Sequence, residues 1–158
     1  FYEKLCQHHE LLLFEDYTEV RGWMNHLLDR VERLNRPCCL SHIDSVADNF
    51  LFLPDGTVRL IDWEYSAMHD PLIDISMCSI YSYYDAEELD RLLEVYLERI
   101  PTPEERIATY AYAALGGFLW CLWAVFKSTE GEEFGEYTII MYHYAKHYYK
   151  RIARLFPD

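Results

Sequence analysis

The chain has 158 residues, with 27 Asp and Glu against 14 Lys and Arg, for a formal net charge of −13. Half of it is hydrophobic and 14 residues are tyrosine, enough apolar surface for one packed domain and too much for a disordered chain. Such acidity excludes nucleic acid and anionic membrane surfaces as partners and favours a small cation or a divalent metal.

The five cysteines (Cys6, Cys38, Cys39, Cys78, Cys121) are odd in number and contain no C-x-x-C pair. They predict reduced thiols in a cytoplasmic protein rather than a disulfide framework or a zinc site. The chain opens on Phe1 with no signal peptide, which reads as a segment of something longer.

In chain order, residues 17–35 place Val20, Trp23, Met24, Leu27, Leu28, Val31 and Leu34 at helical spacing, and Pro37 ends that helix. Residues 50–53 and 58–62 are short apolar runs around Pro54-Asp55-Gly56-Thr57, a β-hairpin signal. Asp85 with Glu88, and Thr102 with Glu105, are capping boxes that open helices over 86–99 and 103–128. Gly131 and Gly135 mark a turn before a last helix that runs to about Leu155. The expected fold is one domain, mainly α with a small β-hairpin. Residues 107–126 carry no charge over a length that could span a bilayer, and a buried central helix accounts for them without a membrane.

The chemistry gathers at the hairpin. Asp44 and Asn49 precede it and Asp62 follows it, so pairing the two strands brings Asn49 and Asp62 together across 13 positions. An amide oxygen and a carboxylate are hard ligands suited to Mg²⁺, which takes its remaining ligands from water and phosphate. Asp44 then lies beside the metal, where a phosphotransferase needs a group to orient a hydroxyl and accept its proton. Asp48 and Asp55 read as a solvated loop carboxylate and a turn residue.

His42-Ile-Asp44-Ser-Val-Ala-Asp48-Asn49, followed by Leu60-Ile-Asp62-Trp-Glu64-Tyr65 and Asp70-Pro71-Leu-Ile-Asp74, resembles the catalytic loop and metal-binding aspartate of protein-kinase-like phosphotransferases. The likeness is to the branch that contains aminoglycoside phosphotransferases and choline kinases. It implies the C-terminal lobe of such an α+β enzyme. Asp44 would be the catalytic base, Asn49 and Asp62 the Mg²⁺ ligands, and ATP the co-substrate. His42 and Asp74 would support the loop by hydrogen-bonding its backbone.

The stretch Gly117-Phe-Leu-Trp120-Cys-Leu-Trp123 puts two indoles three apart on one helical face, and Phe134-Gly-Glu-Tyr137 can fold back towards them. Read alone, such a face suits a core equally well. Converging aromatic faces also hold a quaternary ammonium, to which no hydrogen bond is possible. The stretch is similar to the corresponding helix of choline kinases, and Asp62-Trp-Glu64-Tyr65 to their Asp-x-Glu-Tyr. The resemblance makes Glu64, Tyr65, Trp120 and Trp123 a choline pocket, with Tyr137 as a further wall.

The chain contains no G-x-G-x-x-G, and its four lysines (Lys4, Lys127, Lys146, Lys150) fall in helical segments. The N-terminal nucleotide lobe is therefore expected to be absent, leaving little turnover for this polypeptide alone. Apolar surface normally covered by that lobe would be free to pair a second copy as a homodimer. Ethanolamine or an aminoglycoside as substrate, and a non-catalytic module that binds quaternary ammonium, are the competing readings. His143 and His147 lie one helical turn apart without a third ligand, so no zinc site is expected.

Overall fold

In chain order the computed structural model, which describes residues 1–9 and 14–157, runs α1 (Tyr2–His8), α2 (Tyr17–Leu34), β1 (Cys39–Ser41), β2 (Phe50–Phe52), β3 (Val58–Leu60), β4 (Ala67–His69), α3 (Leu72–Tyr81), α4 (Ala86–Leu97), α5 (Pro103–Lys127) and α6 (Tyr137–Leu155). Helix α2 buries Val20, Met24 and Leu27, and Asn35 stops it in the left-handed region at φ 46°. Asparagine tolerates that conformation better than most residues.

Both capping boxes form. Asp85 accepts from the backbone N–H of Glu87 and Glu88 while Glu88 accepts from Asp85 N. Thr102 and Glu105 do the same at the start of α5. Arg99 adds two bonds to the Glu105 carboxylate, at 2.8 and 2.6 Å. The predicted 86–99 helix ends at Leu97, because Glu98 turns left-handed at φ 54°. The 103–128 helix ends at Lys127.

Helix α5 is the axis of the domain. It is long and apolar enough to cross a bilayer, yet 67% of its most apolar window is buried against the other helices. Two glycines set its spacing. A Cβ on Gly117 would come 2.6 Å from the Met141 carbonyl oxygen and 2.9 Å from Tyr144 Cβ, so α6 approaches backbone to backbone there. A Cβ on Gly116 would meet the Met77 sulfur of α3 at 2.6 Å. The apolar run is thus explained by packing inside the protein.

The strands form two separate antiparallel ribbons. The expected hairpin is β2–β3, with Phe50 opposite Leu60 and Phe52 opposite Val58. Its turn is held by Asp55 Oδ1, which accepts from the backbone and hydroxyl of Thr57, and by Gly56 at φ 83°. Its strands are shorter than the 50–53 and 58–62 runs suggested. The second ribbon, β1–β4, sets Cys39 opposite His69 and Ser41 opposite Ala67. It closes the whole 42–66 segment into one loop against α3.

Candidate active site

The loop that leaves β1 is fixed from two sides. His42 is buried, its Nε2 lies 2.7 Å from the Ile61 carbonyl oxygen, and its ring stands edge-on to Trp63 at 4.8 Å. The backbone N–H groups of His42 and Ile43 donate to the two oxygens of Asp74, at 3.0 and 2.6 Å. Asp74 occupies the first turn of α3, which starts at Asp70-Pro71, and the Asp70 carboxylate accepts from Leu72 N. These bonds hold Ile43 at φ 70°. A β-branched residue there costs about 1–2 kcal/mol. Asp62 is also left-handed, at φ 59°. Both strained positions flank the chemistry, as stored strain commonly does.

Asn49 ends a short 3₁₀ turn over Ala47–Asn49. Its side-chain N–H₂ donates to the Asp44 carbonyl at 2.9 Å and to Asp44 Oδ2 at 3.1 Å. The amide oxygen is thereby turned away from Asp44. Ile61 N donates to the Asn49 carbonyl at 3.0 Å, so the hairpin seats Asp62 one residue from Asn49's partner. A free amide oxygen and a carboxylate with no described hydrogen bond are a donor set that fits Mg²⁺. Among the described residues no group of three or more His, Cys, Asp or Glu could hold a metal ion. The remaining Mg²⁺ ligands would then be phosphate and water. The His143 and His147 rings are 5.7 Å apart on α6.

The aromatic residues do converge. Trp120 is buried and receives Tyr65 edge-on at 5.8 Å, Trp123 at 5.5 Å and Tyr81 at 6.0 Å. Phe134 packs on Trp123 at 5.0 Å and on Tyr137 at 6.2 Å. Asp44 faces this cluster. Burial first, then Glu64, Asp44 and other neighbours, push the Tyr65 hydroxyl above its usual pKa. Burial and then Asp44 do the same to Tyr81, and burial, Tyr83 and Asp44 to Tyr137. Glu64 itself is exposed, in the tight turn where Ser66 N donates to the Trp63 carbonyl.

The rings touch one another, and the prominent cavities open elsewhere. One of about 450 Å³ lies behind the loop, lined by Ile43, Met68, Met77 and Tyr112. A groove of about 600 Å³ runs beside Phe134, with Glu132 and Glu133 on its rim. Phe134 packs where the stretch Phe134-Gly-Glu-Tyr137 was expected to fold back, while Tyr81 and Trp63 belong to this site and were absent from the candidate residues read off the sequence. Tyr81 could have been found from its spacing, since it lies seven residues after Asp74 and so on the same face of α3.

These elements make up the C-terminal lobe of a protein-kinase-like phosphotransferase. Residues 2–106 match the phosphotransferase enzyme family, and the chain belongs to it. Choline kinase LicA from Streptococcus pneumoniae superposes with a TM-score of 0.79 at 32% identity, over 95% of this chain and 52% of that one. A structure of LicA in complex with AMP gives 0.73 at 28% identity, over 95% of this chain and 53% of that one. Protein LicA of Haemophilus influenzae is 35% identical over 114 residues, 68% of this chain. The chain spans 41% of that relative's length.

Proposed function

We propose that the chain is the catalytic and substrate-binding lobe of a choline kinase that moves the γ-phosphate of ATP onto the choline hydroxyl. The observation that carries this reading is the placement of Asp44 within electrostatic reach of Tyr65, Tyr81 and Tyr137, the tyrosines gathered around the two indoles. It sets a proton acceptor beside a surface that suits a trimethylammonium group.

In this reading Trp120, Trp123, Tyr65 and Tyr137 hold the ammonium by their ring faces, each good contact contributing about 0.5–2 kcal/mol. Glu64 adds attraction from the rim. Asp44 accepts the hydroxyl proton as oxygen approaches phosphorus. Asn49 and Asp62 would hold Mg²⁺, which when bound neutralises the phosphate charge. Asp74 and His42 keep the loop in place. All four lysines sit on helices, Lys127 and Lys146 in ion pairs and Lys150 over the Trp23 ring, so none is a strand lysine free to pair with nucleotide phosphates. The five free thiols support a reducing, cytoplasmic setting.

Calorimetric titration with choline, ethanolamine and an aminoglycoside tests the reading. Choline should bind best, and Trp120→Ala or Trp123→Ala should abolish that preference. Tighter binding of the aminoglycoside would transfer the assignment to that substrate class. A coupled ATP-consumption assay with choline and Mg²⁺ should find little turnover in these 158 residues alone, because none of their lysines is placed to hold nucleotide phosphates, and robust turnover would refute that.

A further inference from the structure

Two buried donors at the aromatic cluster make no hydrogen bond of ordinary geometry among the described residues: the Tyr81 hydroxyl and the Trp120 indole N–H. A buried polar group without a hydrogen bond is costly, and native proteins seldom keep one unless water or a ligand completes it. The two rings are neighbours, with centroids 6.0 Å apart. Tyr81 ends α3 seven residues after Asp74, on the helix face that holds the catalytic loop. Its hydroxyl lies close enough to the Asp44 carboxylate to interact with it, yet the two are not set in ordinary hydrogen-bonding geometry. The oxygen of a small alcohol would bridge the two, donating to the carboxylate and accepting from the phenol.

We propose that Tyr81 reads the substrate's hydroxyl. The substrate O–H donates to the Asp44 carboxylate while the same oxygen accepts from Tyr81 Oη. The aromatic faces recognise the cationic end of the molecule and are indifferent to what it carries at the other end. Tyr81 supplies the missing selection, for a quaternary ammonium that bears an alcohol over one that does not. It also aims the oxygen lone pair left over after these two bonds. This inference rests on the choline-kinase reading of the site and deepens it.

The test compares choline with ethyltrimethylammonium, the same cation without its hydroxyl, by calorimetric titration of the whole chain. Wild type should bind choline about fivefold to tenfold more tightly, the ratio expected of one or two hydrogen bonds. Tyr81→Phe should weaken choline about threefold, narrowing the ratio while the bond to Asp44 remains, and leave ethyltrimethylammonium unchanged. Tyr83→Phe, which removes an exposed hydroxyl two residues away, should keep the wild-type ratio. A thermal melt of Tyr81→Phe close to that of wild type shows that the fold is intact, because the ring and its contacts remain. A ratio unchanged in Tyr81→Phe, with both cations still bound, overturns the role of Tyr81 and spares the aromatic site. If neither cation binds wild type, the aromatic site itself fails and the role of Tyr81 falls with it.

Discussion

Removing the Asp74 carboxylate should release the catalytic loop, and the structure sets how much stability that costs. Asp74→Ala deletes two bonds from backbone N–H groups to a charged oxygen, at 3.0 and 2.6 Å. Bonds of this kind contribute about 1.5–3 kcal/mol each, so the gross loss is about 3–6 kcal/mol. Part of it returns, because Ile43 can then leave φ 70° and relieve about 1–2 kcal/mol of strain. The net destabilisation is about 2–4 kcal/mol. The amide of buried His42 has no easy access to water, so solvent cannot make good the loss. In urea, with a slope of about 2 kcal/mol/M for a domain of this size, the midpoint should fall by about 1–2 M. Asp48→Ala, an exposed carboxylate on the same loop, is the control and should move stability by less than about 0.5 kcal/mol. A midpoint for Asp74→Ala within about 0.3 M of wild type would refute the claim that these two bonds offset the strain at Ile43.

The Glu105 cap should make stability depend on acid. The Arg99 guanidinium above all, then the Thr102 N–H, hold its pKa down at about 2 against burial, whereas an unfolded glutamate titrates near about 4.3. The stabilisation is complete above about pH 5 and disappears as pH falls towards 2. With Arg99 half exposed it is worth about 1–2 kcal/mol, and Glu105→Gln should match wild type at low pH and fall below it at neutral pH. An equal difference across the whole range would exclude this cause. Gly117→Ala should destabilise by about 2–3 kcal/mol, because its Cβ meets α6 backbone, whereas Gly116→Ala meets the side-chain ends of Met77 and Ile80 and should cost less. Equal melting points for the two variants would contradict the close approach of α5 and α6. Gly22→Ala, with nothing within 4 Å on α2, should stabilise by about 0.5–1 kcal/mol; a lower melting point would show an unseen contact.

Signals that act over one turn of chain were legible without coordinates. Asp85 with Glu88 and Thr102 with Glu105 are each complete within four residues, and both caps form where the letters placed them. The turn at 54–57 is equally local, and so is the spacing of His42, Asp44 and Asn49 that marks the loop. The β1–β4 ribbon was not legible: its partners are 26 to 30 positions apart, and three-residue strands carry no usable alternation. Nothing in Ile43 announces a left-handed backbone, which a β-branched residue disfavours, and an aspartate such as Asp62 tolerates that conformation without requiring it. The bond from Ile43 N to Asp74, 31 positions away, helps make that conformation tenable for Ile43.

What the order of amino acids determined, then, was which groups could do chemistry and where each helix begins, because capping and turn formation need only neighbours. Tertiary structure decided how those groups face one another: Asp44 towards Tyr65, Tyr81 and Tyr137, and the Asn49 amide oxygen turned outward by its bonds to Asp44. Those orientations come from α3 pressing on the loop while α5 presents Trp120 to Tyr65 and Tyr81. Such contacts exist only once distant segments have paid the entropy of meeting, and no local pattern records that outcome.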